Sequence, residues 1–388
     1  VINKNNINAT SRKLDRVPGL PLVEVERINH VPVLRTTWII KLVLVAASIM
    51  ATLVAAEIGI RLARGKLTFR GNFLNEELNL FLSATPAAFD PALGWIPRAG
   101  VSGAVNAWKT QVNITADSLR SNGVPRAAPC QPGQGVLAVG DSFTFGDEVS
   151  DHESWPAHLE AISGRCVFNC GVFGYGLDQA VLRAEVLWPT LKPGLLIVGL
   201  FYGDIHRCEL SMLAGVNKPY FNVDNGALVL ENRQVAPPTK TIHDLNAFQR
   251  YGGHSIVVHK LMKRLAPLRW ISGTMETRQV HTQGAEVALI LMDRLAHLRE
   301  KTGAPILVVA LYDRLVGLDQ TAITAPVLAR ARHLGLWVLD LAAPLRQIQA
   351  NDPAKFKSLF KGHMTSNGNR FVADAIDRFL LDQGFWRR

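Results

Sequence analysis

The sequence predicts a doubly wound, flavodoxin-like α/β domain with a cap insertion, preceded by one transmembrane helix. Three observations carry this reading. Short apolar runs alternate with helix-period segments from residue 136 to residue 381. The first run, Val136–Val139, ends in Gly140-Asp141-Ser142-Phe143-Thr144-Phe145-Gly146. Residues 37–58 are apolar on every face over the length that a bilayer requires.

The N-terminal tail, 1–36, is polar. The segment 37–58 follows, with Trp38 suited to an interfacial position and Lys41 able to snorkel to the headgroups. A buried helix of a soluble protein is the alternative. A cleaved leader fits less well behind so long a tail, although Ala51–Ala56 leaves cleavage open. Charge does not fix the orientation. Arg27, Arg35 and Lys41 lie on one side, and Arg61, Arg64, Lys66 and Arg70 on the other, a slight bias towards a cytoplasmic C-terminal part.

Residues 59–133 read as a membrane-proximal connector of strands and turns, including Asp90-Pro-Ala-Leu-Gly-Trp-Ile-Pro and Asn113-Ile-Thr-Ala-Asp-Ser-Leu-Arg-Ser-Asn. The main domain is expected over 134–388. Its strands are Val136–Val139, Cys166–Asn169, Leu195–Phe201, Pro305–Leu311 and Leu336–Leu341. Its helices are Glu153–Ser163, Leu177–Leu187, Glu286–Lys301, Ala322–Leu334 and Asn367–Leu381. Five parallel strands place a ligand site at their C-terminal ends. An insertion at 205–284 interrupts the alternation. Asp224-Asn225-Gly226 between apolar residues signals a hairpin there, and 244–265 reads as helical. An excursion after the third strand would lie over the site as a cap, as substrate selector or as structural annex.

The 388 residues are 48% hydrophobic and 19% charged, enough for a sizeable core and no disordered domain. The net charge of +10 is scattered rather than interleaved with stacking aromatics, so nucleic-acid binding is not expected. A solvated basic surface is the default, with an anionic glycan or lipid headgroup as the second reading. The four cysteines, Cys130, Cys166, Cys170 and Cys208, form no CxxC pair, and no metal or other cofactor is expected. Cys130 with Cys166 and Cys170 with Cys208 fall near like ends of neighbouring strands. Disulfides and free buried thiols both remain open.

Glycines on either side of Asp141-Ser142 permit a tight strand-to-helix turn that would lift Ser142 to a helix N-terminus, among free backbone N–H groups. A plain helix cap is the alternative. The longer block Gly-Asp-Ser-Phe-Thr-Phe-Gly, with Glu148-Val149-Ser150 and Trp155-Pro156 behind it, resembles the SGNH (GDSL-type) hydrolases. It looks most like the bacterial, membrane-anchored, extracytoplasmic members. The resemblance implies that Ser142 is the nucleophile and that His363, in Lys361-Gly-His-Met-Thr-Ser-Asn-Gly, is its base. It maps an oxyanion N–H onto Gly174, in Asn169-Cys-Gly-Val-Phe-Gly, beside that of Ser142 itself.

Two departures accompany it. Gly203, in Phe201-Tyr-Gly-Asp204, stands where the third block carries an oxyanion-binding Asn, and loss of such a donor costs about 3 kcal/mol of barrier. Lys361 and Phe360 stand where an Asp would orient the histidine. Asp340, at the end of the fifth strand, or a backbone carbonyl is the candidate substitute, with a helix cap as the favoured reading of Asp340. The resemblance implies an esterase that removes O-acyl groups, acetyl above all, from a cell-surface or exported polysaccharide through a Ser–His dyad and an acyl-enzyme. An O-acyltransferase and a catalytically degenerate glycan-binding or assembly protein are the alternatives. The expected partners are an O-acylated glycan or other ester and the membrane. The expected location is a single-pass inner-membrane protein with its catalytic domain in the periplasm.

Overall fold

The computed structural model describes residues 33–63, 85–105, 108–124, 130–237, 246–266, 270, 277–280 and 283–387. Most of the expected tail, residues 64–84 of the connector, and 238–245, 267–269, 271–276 and 281–282 of the insertion lie outside the described residues. The chain divides into two units after Gly59.

Helix α1, Val33–Ala63, is longer than the expected 37–58. Its stretch Trp38–Ala63 contains an 18-residue window with a mean hydropathy of 2.4, none of which is buried. At about 1.5 Å per residue those 26 residues span about 39 Å, more than the hydrocarbon core of a bilayer. The helix is therefore long and apolar enough to cross a membrane.

The main unit begins with an apron of two antiparallel ribbons. One pairs β1 (Ala87–Asp90) with β2 (Gly94–Pro97), the other β3 (Ser102–Val105) with β4 (Thr110–Asn113). The central sheet follows: β5 (Val136–Val139), β6 (Val167–Asn169), β7 (Leu195–Phe201), and, beyond the cap strands, β13 (Ile306–Leu311) and β14 (Trp337–Asp340). All neighbours are parallel and the spatial order is β6-β5-β7-β13-β14. This is the flavodoxin-like order expected from the alternation. Strands β5, β7 and β13 are buried at every residue, as continuous apolar runs require in a sheet covered on both faces.

Helix α2 is the single turn Ser142–Phe145. Helix α3 (Trp155–Ser163) starts on Ser154, whose side chain accepts from the Ala157 N–H, and ends at Gly164 in the left-handed region. It packs against the last helix, α12 (Ser366–Asp382). Helices α4 (Leu177–Leu191), α8 (Gly284–Thr302) and α9 (Leu318–His333) form the second layer, with α8 touching both others. Helix α9 starts earlier than expected and carries Pro326 inside it. Two short helices that no sequence pattern signalled, α10 (Ala342–Asn351) and α11 (Pro353–Ser358), lead from β14 to the His363 loop.

The insertion opens with α5 (Tyr202–Arg207). A small sheet of β8 (Leu210–Leu213), β9 (Val216–Asn217) and β12 (Arg278–Gln279) follows. The expected hairpin is present as β10 (Tyr220–Asp224) and β11 (Ala227–Glu231). Asn225 and Gly226 both take positive φ, 49° and 76°, as a type I′ turn demands. The helix expected over 244–265 is two helices, α6 (Ala247–Gly252) and α7 (Ile256–Leu265). Gly252-Gly253 breaks the run, and Ser255 caps the second helix through its side chain.

One buried ion pair fastens the insertion to the sheet domain. Lys218 Nζ lies 2.5 Å from Asp178 Oδ2 in the first turn of α4, and both side chains are fully buried. The same ammonium donates to the carbonyls of Arg207 and Leu210. Cys130 and Cys166 form a disulfide across a 36-residue separation, while Cys170 and Cys208 are buried thiols outside any disulfide. Removing one partner of a buried pair strands the other charge. Lys218→Ala is therefore expected to lose about 3–5 kcal/mol in urea unfolding, and the double variant Lys218→Met with Asp178→Leu to recover most of it. Equal losses in the two proteins would show that the pair does not hold the insertion.

Candidate active site

The serine sits on a forced turn. Gly140 has φ +153°, and a Cβ there would meet Thr144 Oγ1 at 2.3 Å and the Gly199 carbonyl at 2.9 Å. No larger residue fits between β5, β7 and the first turn of α2. Asp141 caps that turn, its Oδ1 accepting from the Phe143 N–H at 2.9 Å. Ser142 is thereby presented at the C-terminal edge of the sheet with only 5% of its surface exposed.

His363 reaches the same point from the loop before α12. Its Nε2 lies 3.0 Å from Ser142 Oγ. The Phe143 ring packs against the imidazole at a centroid distance of 4.9 Å. The far nitrogen, Nδ1, lies 3.2 Å from Glu148 Oε1. The other oxygen of that carboxylate accepts from the backbone N–H groups of Gly362 (3.1 Å) and His363 (3.0 Å). Glu148 thus holds both the ring and the loop that carries it. A Cβ on Gly362 would stand 2.4 Å from Glu148 Oε1, so the carboxylate approaches only because residue 362 is a glycine. Asp147 Oδ1 is 3.6 Å from Nδ1 as well.

Arg120 braces the segment that supplies these acids. It is 2% exposed. Its Nη1 donates to the Phe145 and Gly146 carbonyls, its Nη2 to the Val149 carbonyl at 2.6 Å, and its Nε lies 3.6 Å from Asp151. Burial lowers its pKa to about 10 against the pull of Asp151 and Asp147, which leaves it charged at neutral pH.

The electrostatics suit a proton acceptor. Burial disfavours a charged His363, but Asp147, the Glu148 hydrogen bond and Asp141 outweigh it and raise the imidazole above its ordinary value. Burial raises Asp147 to about 6, against the pull of His363. Burial also works against ionised Glu148, but its hydrogen bonds from the His363 backbone and ring lower its pKa overall.

On the other flank lies an ion cluster. Arg207 Nη1 contacts Asp141 Oδ2 at 3.0 Å, Asp204 Oδ1 at 2.6 Å and the Tyr175 carbonyl at 3.0 Å. Burial, then the charge of Asp141, push Asp204 well above the usual carboxylate range.

The other expected residues divide. Gly174 takes φ +76° in the loop between β6 and α4, and the neighbouring Phe173 carbonyl accepts from Trp95 Nε1. A Cβ on Gly171 would meet the Phe145 N at 2.4 Å, so this loop lies directly on α2. Gly203 lies in α5 beside Phe201 and Arg207. Asp340 does not orient His363. Its Oδ1 accepts from the Tyr312 hydroxyl (3.0 Å) and the Ala342 N–H (2.9 Å), which is the helix-cap reading. The acid comes instead from Glu148, six residues after the serine. The sequence signal was its place in the serine block, paired with a glycine just before the histidine.

Removing the Glu148 charge withdraws support from the protonated ring. Glu148→Gln is expected to lower the His363 pKa, and Gly362→Ala to do the same by displacing the carboxylate. A two-dimensional NMR titration of the imidazole reads both. An unchanged midpoint in Glu148→Gln would contradict the contact.

No family model matches the chain, and no curated protein matches it. Solved structures do. A G-D-S-L family protein from Desulfitobacterium hafniense DCB-2 is 15% identical, with 63% of this chain and 98% of that one covered and a TM-score of 0.35. A GDSL-like lipase from Bacteroides thetaiotaomicron VPI-5482 is 12% identical, with 66% and 93% covered and a TM-score of 0.36. A catalytic mutant of an acetylxylan esterase from Geobacillus stearothermophilus is 12% identical, with 65% and 95% covered and a TM-score of 0.36. Likenesses this distant assign no reaction. What the chain's own structure gives is a flavodoxin-like α/β fold, a parallel sheet in the order β6-β5-β7-β13-β14 with the Gly140-Asp141-Ser142 turn at its C-terminal edge.

Proposed function

We propose that the protein is a serine esterase of the SGNH type. The observation that carries this is the 3.0 Å contact between Ser142 Oγ and His363 Nε2, with Glu148 on the far nitrogen. In this reading the three residues act as a triad rather than the dyad expected from sequence. His363 Nε2 takes the Oγ proton as Oγ attacks the acyl carbonyl carbon, and the carbonyl π pair moves onto oxygen. The tetrahedral intermediate collapses, the alcohol leaves with the proton from Nε2, and Ser142 is left acylated. Water, deprotonated by Nε2, then repeats the sequence and releases the acid. The backbone N–H groups of Ser142 and Gly174 are the proposed oxyanion donors.

The proposed substrate is an O-acetylated polysaccharide. Supporting it, an open cavity of about 830 Å³ in the insertion is lined by Asn217, Asn222, Asn232, Tyr220 and Gln279, groups that hydrogen-bond sugar hydroxyls. The proposed setting is a bacterial inner membrane, with α1 as anchor and the hydrolase domain in the periplasm. The Cys130–Cys166 disulfide supports that side, because such bonds persist in oxidising compartments.

Three outcomes test these proposals. Purified protein should hydrolyse p-nitrophenyl acetate, and Ser142→Ala should lose that turnover by at least about 10³-fold. Equal turnover by both forms would remove Ser142 from the chemistry. The kcat/KM profile should rise with pH through a limb above the ordinary histidine value, because the base works only when neutral and its pKa is raised. Alkaline phosphatase fused after residue 388 should be active, since that reporter folds where disulfides form. An inactive fusion would place the domain in the cytoplasm.

A further inference from the structure

The third sequence block lacks its side-chain donor at Gly203, yet the space beside that glycine is not empty of donors. A Cβ built on Gly203 would stand 3.7 Å from Arg207 Nη2, one turn along the same short helix. Arg207 Nη1 is held three ways, by Asp141 Oδ2, Asp204 Oδ1 and the Tyr175 carbonyl. Nη2 has no hydrogen-bond partner among the described residues. The Arg207 side chain is 24% exposed, whereas the carboxylates that hold it are buried. A single carboxylate oxygen links it to the nucleophile, because Asp141 Oδ2 lies 3.0 Å from Nη1 and 3.4 Å from Ser142 Oγ.

We propose that the Arg207 guanidinium is a catalytic oxyanion donor, its Nη2 taking the place that an asparagine amide at position 203 would fill. The assignment rests on the esterase reading. The chemistry balances without a new participant. As Oγ attacks, the carbonyl oxygen gains the π electron pair, and Nη2–H donates to it while keeping its proton. A charged donor makes the stronger hydrogen bond to a developing anion. Three features hold it ready. Asp141, Asp204 and the Tyr175 carbonyl together anchor Nη1. Lys218 Nζ donates to the Arg207 carbonyl and fixes its backbone. Glycine at 203 puts no side chain beside Nη2, which lies 3.7 Å from where its Cβ would stand. Burial works against the cation, but Asp204 and Asp141 outweigh it and raise its pKa, so it is charged throughout the working range.

The test measures kcat and KM for p-nitrophenyl acetate in wild type, Arg207→Lys and Arg207→Gln, with thermal unfolding of each as the check on folding. Lysine keeps one charge for Asp141 and Asp204 but has no second nitrogen. Both variants should lose about 10²–10³-fold in kcat with KM changed less than about threefold. Adding Gly203→Asn to Arg207→Gln should return at least about tenfold of it, the Phe201 ring edge yielding a few tenths of an ångström. A folded variant that keeps kcat within about threefold of wild type, or loses only KM, overturns the assignment. Should neither variant fold, the wild-type protein inactivated by diethyl p-nitrophenyl phosphate decides. The phosphoryl oxygen of its crystal structure lies within about 3 Å of Nη2 if the assignment holds, and is held by backbone amides alone if it does not. A wild type without Ser142-dependent turnover is a separate failure. It overturns the esterase reading and takes this assignment with it.

Discussion

Glu148 joins the two ends of the α/β domain. It leaves the turn that follows the serine and closes on the loop that carries the histidine, accepting two backbone N–H groups and facing the imidazole. Ser142 and His363 are 221 residues apart, and nothing local in the chain brings them together. The parallel sheet delivers both loops to one edge. The carboxylate then fixes the last few ångströms, where proton transfer is decided. Each neighbour serves that reach. Arg120 ties down the carbonyls that flank Asp147 and Glu148, Gly362 leaves room for the oxygens, and Phe143 backs the ring.

Two sets of charges flank the serine and do different work. On the histidine side, Asp147 and Glu148 favour the imidazolium, the charge that the proposed transfer of the Ser142 proton to His363 would create. On the other side, Arg207 is held by Asp141 and Asp204. The capped insertion is pinned to that second flank, through Lys218 on the Arg207 carbonyl and on Asp178 of α4.

The sheet was legible in the sequence because its three central strands are buried on both faces and so read as unbroken apolar runs. The turn at Ser142 was legible because only glycine fits at 140. The hairpin turn announced itself in Asn225-Gly226. The orienting acid was not legible in this way. The resemblance directs attention to residues just before His363, where no acid stands, and so to Asp340 at the end of the fifth strand. Glu148 is distant in sequence and acts only through a tertiary contact, and Asp340 is occupied by Tyr312 and Ala342. The same holds for Arg207. Its neighbour Gly203 read as a missing donor, because a one-residue motif cannot show a side chain arriving from four positions later. The short helices α10 and α11 carry too few turns to show a period.

The central claim is that Ser142, His363 and Glu148 act as one nucleophilic unit, and the most direct test of it is the site and rate of fluorophosphonate labelling. The adduct, located by peptide mass spectrometry, should sit on Ser142 alone. Labelling should be lost in His363→Ala and slowed by about 10-fold or more in Glu148→Gln. An adduct on another residue, or labelling of Ser142 at an unchanged rate without His363, would contradict the account.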